Sequence, residues 1–344
     1  MNTTRPAHPT GMPRNARRLA IAATAAAALF LTGCAGADSG SSDAAEDGGL
    51  VPVSMGIQPW IGYGQWYVAE DQGVFDEHGL DVSMVQLNTD ADKISAFASG
   101  QVNATNLATH TAMMLQEAGV DLKIVVIQDY SETADAMIAG PGVTSIDELA
   151  GKSIAYEQGA TSDLLLHAAL DDAGLTMDDI TPVPMAASDA AAALISGQVD
   201  VAITYEPYIT TALEEDPTLT PIYDGSDAPG LISDALAVTD ELIEQSPETV
   251  QALVDSWGEA VDYYNSDTDA ARTIMAEAAG EDPEALASAF DGVLYFDKAQ
   301  NAEAFSGEYV SDVLPLAERV ATEAGLLTKA VDLESLYDSQ FAAN

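Results

Sequence analysis

Three short stretches of this sequence combine residue types that can recognise a small polar molecule. In "IQPWIGYGQW" (residues 57–66), Trp60, Tyr63 and Trp66 crowd seven positions of a chain that is only 6% aromatic. Gln58 and Pro59 break the preceding apolar run, and Gly62 and Gly64 permit close backbone approach. An aromatic face held there attracts a cation with about 0.5–2 kcal/mol. The cluster also reads as packing beneath a loop. Trp66 falls inside a helix pattern and is assigned to packing, while Trp60 and Tyr63, on the turn, are assigned to a ligand.

The second stretch is "EQGATSD" (residues 157–163), a strand-to-helix turn carrying Gln158, Gly159, Thr161 and Ser162. Backbone N–H groups at such a helix start suit an anionic group. Plain N-capping by Thr161 or Ser162 explains the same residues, and the two readings are compatible. The third is Tyr205-Glu206-Pro207 at a strand end, where a carboxylate could accept hydrogen bonds from an amine, amidine or ring N–H and Tyr205 could stack. Asn106 and Thr109 hold the matching strand end earlier in the chain. None of these positions is Lys or Arg, whereas Asp129, Asp135, Glu157 and Glu206 are acidic; Lys93 is nearest, within a helix pattern. That balance favours an amine, guanidinium, quaternary ammonium or pyrimidine, or a zwitterion, over a bare anion.

Catalytic chemistry finds little support. His78, His110 and His167 are widely spaced without metal-ligand patterning, and neither a GxSxG nor a phosphate-loop motif occurs. The sequence is therefore expected to carry no catalytic residue, no metal site and no cofactor.

The elements that must position these residues follow an α/β pattern of short apolar runs alternating with helical ones from Leu50 onward. Two stretches repeat an unusual junction: "AFASGQV" (residues 96–102) and "ALISGQV" (residues 193–199). Each reads as a helix stopped by a left-handed glycine, Gly100 or Gly197, followed by an apolar strand entering a sheet. Their strands end at Asn106–Thr111 and at Tyr205–Pro207, and ligands of open α/β sheets bind beyond such ends. Two facing lobes would thus form a cleft. From Ser246 the chain reads as almost wholly helical.

"GVFDEHGLDVSMV", "ISAFASGQVN", "SIDELAGKSIAYEQGATSDLLLHAALDDAGL" and "AALISGQVDVAITYEP", in this order, resemble bacterial ABC-transporter solute-binding proteins of the nitrate/sulfonate/taurine type, a group that includes binders of thiamine-precursor pyrimidines. The likeness runs from about Ser54 to Pro207, and Tyr205-Glu206-Pro207 matches the family's aromatic-acid-proline element. It implies a type II periplasmic-binding-protein fold with two lobes, a hinge and a central cleft. Residues 50–129 would begin lobe one, 130–230 would form lobe two, and 231–344 would return to lobe one with the C-terminal helices. Asp129, Tyr130 and Asp135 would sit at the hinge, with a second crossing near Pro229-Gly230. The implied partners are a small solute, an ABC permease and its ATPase, for a monomer; a receptor lobe serving a membrane sensor is the alternative.

The N-terminus reads as an export segment. Arg5, Arg14, Arg17 and Arg18 precede the apolar run Leu19–Leu31, too short to span a bilayer, and no acid occurs before Asp38. "LTGC" (residues 31–34) resembles a lipobox, so residues 1–33 are expected to be a signal peptide and Cys34, the only cysteine, the lipidated first residue. Residues 34–49 hold, beyond that cysteine, only Ala, Gly, Ser, Asp and Glu, a composition suited to a flexible tether. The chain would then lie anchored outside the cell membrane. Four of its 11 basic residues precede Cys34, leaving 7 against 56 acids, net −49. That excludes nucleic-acid binding through a basic surface.

Overall fold

The computed structural model describes residues 50–58, 60–87 and 90–342. The expected signal peptide 1–33, Cys34 and the tether 34–49 lie outside the described residues. Among the described residues no helix is long and apolar enough to cross a membrane.

Two mixed sheets organise the chain. The first contains β1 (Val51–Ile57), β2 (Leu80–Gln86), β3 (Ala104–Ala108), β4 (Leu122–Ser131), β10 (Ser233–Thr239) and β11 (Val293–Tyr295). The second contains β5 (Asp135–Ala139), β6 (Ser153–Tyr156), β7 (Thr181–Pro184), β8 (Val201–Tyr205) and β9 (Thr220–Asp224). Their orders are β11-β4-β10-β3-β1-β2 and β7-β6-β8-β5-β9. In the first, β1 pairs in parallel with β2 and β3, and β10 inserts antiparallel between β3 and β4. In the second, β6 pairs in parallel with β7 and β8, and β5 inserts antiparallel between β8 and β9. One five-strand pattern thus occurs twice, with β11 added at an edge. Each inserted strand is the one that enters its sheet from the other: β5 follows β4, and β10 follows β9.

The repeated Ser-Gly-Gln-Val junction does the same mechanical job in both sheets. Gly100 and Gly197 adopt φ of 71° and 69°. Gly100 N donates to Phe97 O (3.0 Å) and Gln101 N to Ala96 O (2.9 Å); Gly197 N donates to Leu194 O (2.9 Å) and Gln198 N to Ala193 O (2.8 Å). These are paired Schellman closures, which satisfy helix-end carbonyls that would otherwise lack partners. Val102 and Val199 are buried directly afterwards, and β3 and β8 each begin four residues past their glycine.

Several elements depart from the sequence reading. The helix expected from Gly64 to a stop near Gly73 spans Gln65–Asp71, and a second short helix, Val74–Glu77, follows Gly73, whose φ is 74°. The helix Tyr208–Glu215 and strands β9 and β11 escape the reading altogether. β11 interrupts the region expected to be helical beyond Ser246. β4 continues to Ser131, so Asp129 and Tyr130 lie within a strand, and the crossing begins two residues later than expected.

At that crossing, Glu132 N and Thr133 N both donate to Gly292 O (2.8 and 3.1 Å), and Ser226 N donates to Glu132 O (2.8 Å). The core of the first sheet centres on Trp66, stacked near Phe75 and packed against Trp257 of helix Pro247–Ser266 at 5.0 Å between ring centroids. Helix Leu314–Glu323 packs on helices Thr109–Glu117 and Thr161–Asp172, which belong to different lobes. Arg319 Nη1 also reaches Asp171 Oδ2 at 3.1 Å.

Candidate ligand-binding site

The strand ends and the turns that follow them converge on a chamber of about 70 Å³. Gln58, Trp60 and Tyr63, from the turn after β1, line it together with Ala108 at the end of β3 and Ile232 and Asp234 around the start of β10. The other lobe supplies Asp135 at the start of β5, Glu157, Ala160 and Thr161 from the turn after β6, and Tyr205 at the end of β8. The arrangement follows the rule that α/β sheets bind ligands beyond their strands' carboxyl ends.

The two sides are built alike. Asp234 pairs with Ala108 across β10 and β3, and Asp135 pairs with Tyr205 across β5 and β8. Gln58 follows β1 as Glu157 follows β6. Trp60 of the first lobe meets Tyr205 of the second edge to face, at 6.0 Å between centroids. Tyr63 Oη donates to Asp234 Oδ1 (2.5 Å), and Thr161 Oγ1 donates to Asp135 Oδ1 (3.3 Å).

Burial dominates the electrostatics. Asp135 is 3% exposed, and desolvation, reinforced by the charge of Asp234, pushes its carboxyl up to about 7, against the pull of its Thr161 hydrogen bond. Asp129 pairs in register with Asp234 and is raised well above the ordinary range, first by burial and then by Asp234 and Asp135. Neither of its carboxyl oxygens has a hydrogen-bond partner in the structure. The Trp60 indole N–H lies beside this carboxyl and favours its ionised form without closing a well-formed hydrogen bond. Both groups flank Gly62, where a Cβ would collide with Trp60 Nε1 and Asp129 Oδ2.

Of the residues assigned from sequence, Gln58, Trp60, Tyr63, Thr161 and Tyr205 come together at the chamber, and Asp135 joins them from the expected hinge. Others are drawn elsewhere by bonds within their own lobe. Asn106 accepts from Trp66 Nε1 (2.6 Å) and donates to Gly56 O (2.8 Å), inside the lobe wall. Thr109 Oγ1 sits at 2.8 Å from Ser233 Oγ and 2.9 Å from Tyr309 Oη. Gln158 is exposed. Gly159 N donates to Asp163 Oδ2 (2.9 Å), while Ser162 Oγ accepts from Glu157 N (2.9 Å) and donates to Glu157 O (3.1 Å). The expected anion cradle is therefore occupied by its own chain, with a carboxylate at its mouth.

Glu206, expected at the ligand, is 6% exposed and turned to its own helix. Its carboxylate accepts from Thr210 N (3.0 Å) and Thr210 Oγ1 (2.9 Å) at the start of helix Tyr208–Glu215. It borders a second cavity of about 650 Å³ that adjoins the chamber through Gln58, Trp60 and Tyr205.

Three charged chamber residues fall outside the assigned site set: Lys93, Glu157 and Asp234. Lys93 is 1% exposed, which corrects the expectation of a site without a basic side chain. Its helix, Asp90–Ala98, buries Lys93, Ala96 and Phe97, spaced i, i+3 and i+4, so the period that marks an inward stripe already contained the lysine. No local signal marks Asp234, which reaches the chamber only through the pairing of β10 with β3. Among the described residues no cluster of His, Cys, Asp and Glu could hold a metal ion.

Two lobes of repeated topology, joined by crossing strands and enclosing a polar chamber at their strand ends, define a periplasmic-binding-protein fold. The solved structure of the periplasmic aliphatic sulphonate binding protein SsuA from Escherichia coli shares it, with a TM-score of 0.73 and 21% identity over 84% of this chain and 92% of that one. The family model described as NMT1/THI5 like matches residues 61–271, and the chain belongs to that family. A binding protein of Brucella abortus is 27% identical over 230 residues, covering 66% of this chain and 71% of its own. The taurine-binding periplasmic protein of E. coli is 23% identical over 203 residues, 59% of this chain and 63% of its own. These relatives are binding proteins, and this chain is a solute-binding protein rather than an enzyme.

Proposed function

We propose that this protein is the lipid-anchored solute receptor of an ABC importer, which closes its lobes on a small organic molecule bearing an amine or N–H-rich group and delivers it to a permease. The relatives support the solute-binding role, and the lipobox-like "LTGC" before the tether supports the anchor at Cys34. The observation that carries the ligand class is the composition of the chamber: Asp135, Glu157 and Asp234 line it against the single basic side chain of Lys93. Trp60, Tyr63 and Tyr205 add aromatic surface that suits a cation. A zwitterion such as taurine would offer its ammonium to the carboxylates.

A thermal-shift series over ethylamine, guanidine, taurine, ethanesulfonate and nitrate tests the reading. A ligand present at about 100 times its dissociation constant stabilises by ~2.7 kcal/mol, a readily measured shift. Stabilisation by the amine-bearing compounds is expected. Tight binding of nitrate or ethanesulfonate without any response to amines would overturn it.

A further inference from the structure

The acidic chamber is too small for a whole ligand. Sites that enclose organic molecules span about 300–1,000 Å³, whereas this chamber offers about 70 Å³, room for one compact group. The adjoining cavity of about 650 Å³ lies within that range. Gln58, Trp60 and Tyr205 line both spaces, so the edge-to-face pair of Trp60 and Tyr205 stands at the boundary between them.

The chemistry of the two spaces differs. Beyond the boundary, Ile61, Met275, Leu286 and Ala289 present aliphatic surface and Tyr67 and Tyr208 present rings. Met275 lies against Gly64, where a Cβ would overlap the methionine side chain, so the glycine holds open the space that Met275 fills. An unbranched thioether adapts to irregular or planar partners. The acids at this cavity, Glu206 and Glu281, oppose an anionic occupant, and Glu206 is already bonded to Thr210.

We infer that the ligand is bipartite: a compact amine or N–H head enters the acidic chamber, and an uncharged aromatic or branched apolar body lies in the adjoining cavity across Trp60 and Tyr205. This inference rests on the amine reading above and adds the class of the remainder of the molecule. Unsubstituted small amines would then be weak ligands and arylalkylamines strong ones.

Titration calorimetry of the full chain with four probes separates head from body: ethylamine, 2-phenylethylamine, ethanesulfonate and 2-phenylethanesulfonate. The phenyl group is expected to tighten amine binding by about tenfold or more, equivalent to ~1.4 kcal/mol. Ala278, exposed on the cavity wall at the end of helix Thr268–Ala279, accepts a large side chain without entering the core. Ala278→Trp should bring the ratio between the two amines to about one. Equal binding of both amines by the wild-type chain would overturn the bipartite ligand while leaving the amine head intact. A phenyl advantage shown equally by the sulfonates would overturn the amine head while leaving the apolar body intact. Silence from all four probes would overturn both. The wild-type comparison is decisive by itself should the variant fail to fold.

Discussion

Asp135 and Asp234 hold equivalent places in the two lobes, each at the start of an inserted antiparallel strand and each opposite the last residue of the strand launched by a Ser-Gly-Gln-Val junction. Asp135 faces Tyr205 in register and Asp234 faces Ala108. The two lobes thus contribute one buried carboxyl each to a single chamber. Replacing either with asparagine removes the charge a cationic head would meet. Asp135→Asn and Asp234→Asn should each weaken 2-phenylethylamine by about tenfold or more in calorimetry, since truncating one partner of a buried charge pair costs about 2–5 kcal/mol. Undiminished affinity in both variants would remove the acids from recognition.

The raised carboxyl of Asp135 gives binding a pH signature. Its folded value is about 7 against an ordinary 3.8, so the folded protein retains a proton that the unfolded chain has released between those values. Stability of the ligand-free protein should therefore fall as pH rises through that window and level off above it. An ammonium favours the ionised acid, so amine affinity should rise from about pH 6 to 8, with protons released on binding near neutrality. Calorimetry in two buffers of different ionisation enthalpy would detect that release, and its absence in Asp135→Asn would assign it.

Glu206 separates a capping role from a binding one. Its carboxylate satisfies Thr210 N and Oγ1 at a helix start, so Glu206→Ala should cost about 1 kcal/mol of stability, the usual worth of a cap. Its effect on amine affinity should be smaller than that of Asp135→Asn. Loss of binding without loss of thermal stability would return Glu206 to the ligand.

Gly62→Ala would press a methyl group between Trp60 Nε1 and the Asp129 carboxyl. Both groups are confined, so the variant should lose about 2 kcal/mol or more, within the range for overpacking a tight site. Displacement of Trp60 should also weaken ligand binding and alter the near-ultraviolet circular dichroism. A variant with wild-type melting temperature and affinity would show that the turn yields freely.

The proposed anchor predicts a change of location. Cys34→Ala should shift the exported chain from the membrane fraction to the soluble one, because acyl chains on Cys34 would hold it to the bilayer. Retention of the variant in the membrane fraction would exclude that anchor.

Much of the framework is legible in the residues. Gly100 and Gly197 announce helix ends that only a left-handed residue closes cheaply, and both adopt that conformation. The polar and aromatic residues after Ile57 and at Tyr205 sit at strand ends, where an α/β sheet must place a ligand, and Gln58, Trp60, Tyr63 and Tyr205 do line the chamber. Lys93 was legible too, through its spacing from Ala96 and Phe97, although its charge argues against reading that stripe as inward.

Local sequence alone determined which residues stop helices, which runs become strands and where polar turns follow them, because those outcomes depend on backbone conformation and side-chain period. The tertiary structure decided how the strand ends are shared. Asp234 enters the site from 126 residues beyond Ala108, through the antiparallel pairing of β10 with β3. Asn106 and Thr109 bear the right chemistry but are claimed by Trp66 and Tyr309, partners that become available only when the chain is packed, while Glu206 is claimed locally by Thr210. Which polar side chains line the site is thus settled by how the strands pair and pack, a relation between residues distant in sequence.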